Sequence, residues 1–330
     1  MRKWLSILVA LLVVAALVAA GCGGSDDDGD GGGSGDNGDM SAADIVKKSE
    51  QAMANMNSAA FAMDMTMSME GDASAVADPQ AAQLLSSPIK VTASGKVANQ
   101  PQKLDMTMKA DAMGQAFDLG LKMDGDTIYL QFMGSWYEIP KEMAEGMTGA
   151  TPAPEGDEEN LTEIYKQLGI DPNTWAADYT LEGEEDVNGV TCYKITQQVD
   201  IDKVAADLSK VADSASGLGA ITGGQDIASD PEELQQSIDM LKKAVKDVKV
   251  EMWIGKDDYY LYRTAGGATI DLTALPEEDR QDMEGVESMD FAMDLSMSDF
   301  DKDFTVEPPS GAKPFDELFN DLMQSGGLSL

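Results

Sequence analysis

The side chains with chemical potential in this sequence are thioethers and carboxylates. There are 22 methionines, 60 acidic residues, 2 cysteines and no histidine. The missing histidine removes the commonest general base and the commonest zinc and copper ligand. No serine or cysteine has the partners of a nucleophilic triad, and so many carboxylates make a close pair inevitable, so an acid/base dyad cannot be argued from their number. The glycine-rich stretch 217–224 lacks the Gly-Lys-Ser/Thr ending of a phosphate cradle. Asp26-Asp27-Asp28-Gly29-Asp30-Gly31 matches the first half of a calcium loop, but its twelfth position is Asn37 rather than Glu. The residues therefore point away from an enzyme, and no cofactor or metal site is expected. What remains is a pattern: Phe61, Met63, Met65, Met67 and Met69 alternate with small or polar residues. Three readings of it stand. Methionine fills irregular cores, it adapts to ligands of variable shape, and Met-x-Met spacing can hold copper(I).

Period-two alternation places those five side chains on one face of a strand. Met289, Phe291, Met293, Leu295 and Met297 repeat the pattern near the C-terminus. Between them, Leu104, Met106 and Met108 and then Phe117, Leu119 and Leu121 alternate likewise. Strands are expected over 61–69, 89–98, 104–112, 117–123, 127–132, 136–139, 179–187, 190–199, 248–254, 259–264, 268–272 and 287–297, with 304–306 closing the sheet. Turn residues such as Asn188-Gly189 link close neighbours, which makes them an antiparallel meander. Helices are expected over 42–57, capped by Ser41, and over 161–168, 201–211 and 231–247. Residues 71–87 read as a long loop with a helical turn, and Phe315, Leu318, Phe319 and Leu322 as a short amphipathic helix. The fold class is α+β, with about eleven strands. Trp136, Tyr137 and Trp175 are candidates for a sugar platform, or for ordinary core.

The first 21 residues stand apart. Arg2 and Lys3 precede an apolar run from Leu5 to Ala20, the layout of a secretory signal. Ala19-Ala20-Gly21-Cys22 resembles a bacterial lipobox, which makes Cys22 the site of lipidation and implies a membrane anchor on the extracytoplasmic face. Residues 22–40 read as the lipidated Cys22 and a Gly/Asp-rich tether, residues 41–306 as one domain, and residues 307–330 as a tail. The formal net charge is −37. Loss of Arg2 and Lys3 with the signal makes it more negative still, which excludes nucleic acid as a partner. Cys192 reads as a small buried apolar residue rather than a reactive thiol.

The order of elements over 42–306 resembles the LolA/LolB-type carrier fold, and in particular LppX/LprG-type actinobacterial lipoproteins. Besides Cys22, the resemblance rests on a helix leading into a long strand, on the hairpin Val187 to Ile195, and on the strand–turn–strand segment Val250 to Arg263. It implies a strongly curved half-barrel with helices on its concave face and an apolar cavity between them. The implied function is binding or carrying a lipid or other apolar ligand. Phe61, Met63, Met65, Met67, Met69, Leu104, Met106, Met108, Phe117, Leu119, Leu121, Met289, Phe291, Met293, Leu295 and Met297 are then the candidate cavity wall. The glycine-rich segment 214–229 and helix 231–247 are the candidate lid. The alternatives are a closed-core structural or interaction lipoprotein and a copper(I) binder.

Overall fold

A computed structural model describes residues 40–76, 79–112, 115–125, 127–140, 169–170, 175–212, 238–240, 242–277, 280 and 285–318. The expected signal segment, Cys22, the expected tether up to residue 39, the expected helix at 161–168, the segment 214–229 and most of the expected helix 231–247 lie outside the described residues.

Helix α1 (Ala42–Ala54) starts where Ser41 takes the backbone N–H of Asp44 on its hydroxyl, while the Asp44 carboxylate accepts the Ser41 N–H. This reciprocal pair satisfies two of the orphan donors of a helix start. Ile45 and Val46 form its buried face. Alternation then takes over. Strands β1 (Ser58–Gly71), β2 (Ile89–Ala98), β3 (Lys103–Ala112), β4 (Gln115–Asp124), β5 (Thr127–Phe132) and β6 (Ser135–Ile139) follow, with helix α2 (Pro79–Ser86) between β1 and β2. After β6 come β7 (Ala176–Val187), β8 (Val190–Val199), helix α3 (Ile201–Ala212), β9 (Val245–Gly255), β10 (Leu261–Asp271), β11 (Val286–Ser298) and the two-residue β12 (Lys313–Pro314).

The twelve strands of the described residues form one sheet in the order β12-β6-β5-β4-β3-β2-β1-β11-β10-β9-β8-β7. Only β12 is parallel to its neighbour; the other strands pair antiparallel. The chain starts at the middle with β1, meanders outward to β6, resumes at the far edge with β7 and meanders back to the middle with β11. The sheet is large, curved and open.

Four expectations change. Strand β10 is continuous where two strands were expected, because Gly266 and Gly267 keep partners on both sides: Val250 and Lys249 on β9, Met293 and Ala292 on β11. Residues 245–247 belong to β9 and not to a helix, since Val245 pairs with Ile270 across the ladder. The loop after β1 holds a two-turn helix, α2, whose Leu85, like Met67 and Met69, packs against the buried cluster around Leu272, Val286 and Met289. Residues 304–306 form no ladder. Their segment is held by lysines instead, with Lys103 Nζ donating to the Phe304 carbonyl and Lys122 Nζ to that of Glu307, both at 3.2 Å. The β6 edge is covered by β12.

Candidate functional site

The strand register decides which side chains share a face. The two methionine stretches, far apart in sequence, are direct partners: Phe61 lies opposite Met297, Met63 opposite Leu295, Met65 opposite Met293, Met67 opposite Phe291 and Met69 opposite Met289. On the other flank of β1, Phe61 faces Gly95 and Met63 faces Ala93. Gly95 and Ala93 face Met106 and Met108, which in turn face Leu121 and Leu119. Leu104 and Phe117 follow in step, opposite Met123 and Ala110. Directly opposed residues in antiparallel strands point to the same side, so every candidate wall residue lies on one face. The same register adds residues that were not among the candidate wall. Val91, Ala93 and Gly95 of β2 lie on this face, as do Leu130 and Phe132 of β5. Met252 and Ile195, opposite each other on β9 and β8, continue the face beyond β10.

Parts of this face are covered. Ala42, Ile45 and Val46 of α1 pack on Ile195 and Ile254. Leu85 of α2 with Met240 and Ala244 covers the far ends of β1 and β11, where Met289 is 3 % exposed. Phe315 and Leu318 cover β5 and β6. Between these three covers, Phe61, Met63, Met65, Met106, Met108, Met293, Leu295 and Met297 are only half-buried, and Phe117 is 42 % exposed. The centre of a wide sheet is where apolar side chains are normally hidden, so partial exposure of this many is the distinguishing feature of the site. Thioethers on this face are interleaved with Leu, Val, Phe and Ile, a distribution expected of apolar lining rather than of a ligand set for one ion. Among the described residues, no group of three His, Cys, Asp or Glu side chains is placed to hold a metal.

The opposite face is polar. A broad depression of about 530 Å³ opens there over β10, lined by Asp64, Thr66, Lys249, Glu251, Asp290 and Asp294 around Ala265 and Gly267. Asp64 and Asp294 are directly opposed, an arrangement that repels. Arg263 relieves it: its Nε donates to both Asp294 oxygens at 3.0 and 3.1 Å, and its guanidinium lies 4.4 Å above the Trp253 ring. The hydrogen bond to Asp294 raises the Arg263 pKa further.

Cys192 is fully buried on this side with Val187 and Trp253. Burial, with Asp258 and Asp186 nearby, pushes its thiol up to about 11, so it carries little thiolate at neutral pH and is inert. The three aromatics of the sugar-platform reading are separated. Trp136 lies on the polar face against Gly120, while Tyr137 is buried on the apolar face beneath Phe315. Trp175 is buried elsewhere, donating its indole N–H to Asp207 at 2.7 Å. They form no platform.

Residues 41–182 match a family model described as a family of unknown function, DUF6612. No curated protein matches. Among solved structures the chain is similar to the lipoprotein LppX of Mycobacterium tuberculosis, at 13 % identity over 81 % of this chain and 98 % of that one, with a TM-score of 0.35. It is also similar to LprF of Mycobacterium bovis, at 13 % identity over 82 % of this chain and 97 % of that one, with a TM-score of 0.39. LppX belongs to the group the sequence resembles.

Proposed function

We propose that this protein is a lipid-anchored extracytoplasmic lipoprotein that binds or carries a lipid or other apolar ligand on the methionine-rich face of its sheet, without catalysing a reaction. One observation carries the reading. The register gathers the apolar side chains of β1, β3, β4 and β11 on one face, and the described helices cover its margins while its centre stays half-open. Apolar surface left in water forgoes about 25 cal/mol per Å². A ligand laid on the face recovers that free energy, less the cost of its own ordering. Methionine suits such a surface because its unbranched thioether repacks around chains of different shape.

The test is to produce residues 40–330 without the anchor, extract the pure protein with organic solvent, and analyse the extract by mass spectrometry. An acyl-chain lipid at near-stoichiometric yield is expected, together with uptake of the fluorescent fatty acid cis-parinaric acid by the stripped protein. No extractable lipid and no uptake would overturn the reading in favour of a closed structural or interaction lipoprotein.

A further inference from the structure

The described part of the segment after β11 crosses the molecule as a strap and reaches the apolar face at Phe315 and Leu318. It leaves β11 through a turn pinned to the start of β1, with Asp301 N donating to the Ser58 carbonyl and Ser58 Oγ to the Lys302 carbonyl. It then passes β3 and β4, held by the two lysine-to-carbonyl hydrogen bonds from Lys103 and Lys122. Its ladder with β6 is two residues long, Lys313 beside Tyr137 and Pro314 beside Glu138. Proline supplies no N–H to that ladder. Directly afterwards Phe315 and Leu318, 7 % and 8 % exposed, are buried against Ile128, Tyr137 and Ile139, with Leu121 and Leu130 alongside. Leu121 faces Met106 on one side and Leu130 on the other. The patch under Phe315 and Leu318 is therefore the unbroken continuation of the half-open face. Two apolar side chains of the strap occupy the β5–β6 end of the surface proposed to take the ligand.

We infer that Phe315 and Leu318 are an internal occupant of the ligand face, displaced when an apolar chain extends from β3 and β4 toward β6. This rests on the proposed function and adds its regulation. The strap keeps the β5–β6 end of the face dry in the empty protein and makes binding depend on its release. If the strap is off about one tenth of the time, removing it tightens the apparent Kd about tenfold.

The test titrates cis-parinaric acid into the full mature chain and into two variants. Phe315→Ala with Leu318→Ala removes the occupant. Glu138→Cys with Pro314→Cys locks the strap through the paired positions, and the lock is released by reductant. A roughly tenfold tighter Kd for the alanine variant, with weaker binding for the oxidised lock that recovers on reduction, is expected. Binding by the alanine variant alone supports the same conclusion. Equal affinity of wild type, alanine variant and lock overturns the inference and leaves the ligand face standing. Weaker binding by the alanine variant also overturns it, since the two residues would then be wall rather than occupant. No binding by any of the three removes the inference together with the proposed function.

Discussion

Asp301 shows what a single carboxylate holds together. It sits in a turn at φ 56°, a left-handed conformation that aspartate tolerates better than most residues. Its carboxylate accepts the Asn57 backbone N–H at 2.8 Å and the Tyr260 hydroxyl. Tyr260 in turn stacks on Phe300 with ring centroids 4.4 Å apart. The turn after β11, the entry to β1 and the β9–β10 connection thus meet at one side chain. The Tyr260 hydroxyl, and after it the Asn57 N–H, hold the Asp301 carboxyl below the ordinary aspartate value. A depressed folded-state pKa contributes stability above the unfolded value, and that contribution is lost as pH falls through the folded one. Asp301→Asn is therefore expected to cost under about 1 kcal/mol at pH 7, given the exposure of the group. The difference from wild type in urea unfolding should shrink as pH falls below the ordinary aspartate value and through the depressed folded one. A cost that stays undiminished throughout that descent would show that the charge is irrelevant.

At the scale of elements, the Asn188-Gly189 hairpin forms as the sequence implies, with positive φ at both residues, the conformation that matches strand twist. Gly95 carries information of a different kind. A Cβ there would lie 2.3 Å from the Asp105 carbonyl oxygen and 2.9 Å from the Met106 Cα, so β2 and β3 approach more closely than any side chain allows. Gly95→Ala is expected to destabilise the protein by about 1–3 kcal/mol, the range for overpacking. Thermal unfolding measures it; an unchanged midpoint would mean that the strands separate freely. This glycine was invisible as a constraint in the sequence, because its cause is a partner strand rather than its own turn. The β10 glycines misled for the same reason. Gly266-Gly267 looked like a break between two strands, yet ladders on both sides hold the segment extended.

For the whole molecule, the β1–β11 seam sets the layout. It closes a chain that travels out to one edge and returns from the other, and it places the two methionine stretches side by side. The proposed anchor belongs to this scale too. Wild type is expected to fractionate with membranes and Cys22→Ser to move to the soluble extracytoplasmic fraction. Equal membrane recovery of both would refute lipidation at Cys22.

The positions of most strands, the capped start of α1 and the apolar identity of one face were legible in the sequence, because each depends on neighbours two to four residues away. Strand partners were not. Backbone hydrogen bonds are alike along every strand, so alternation says that Met65 has an apolar side but not that Met293 lies opposite it. Only the assembled sheet made that choice, by bringing distant segments into one register. It also decided, among the described residues, that α1, α2 and the Phe315–Leu318 segment cover the margins of the face and that the centre of the methionine wall is only half-buried.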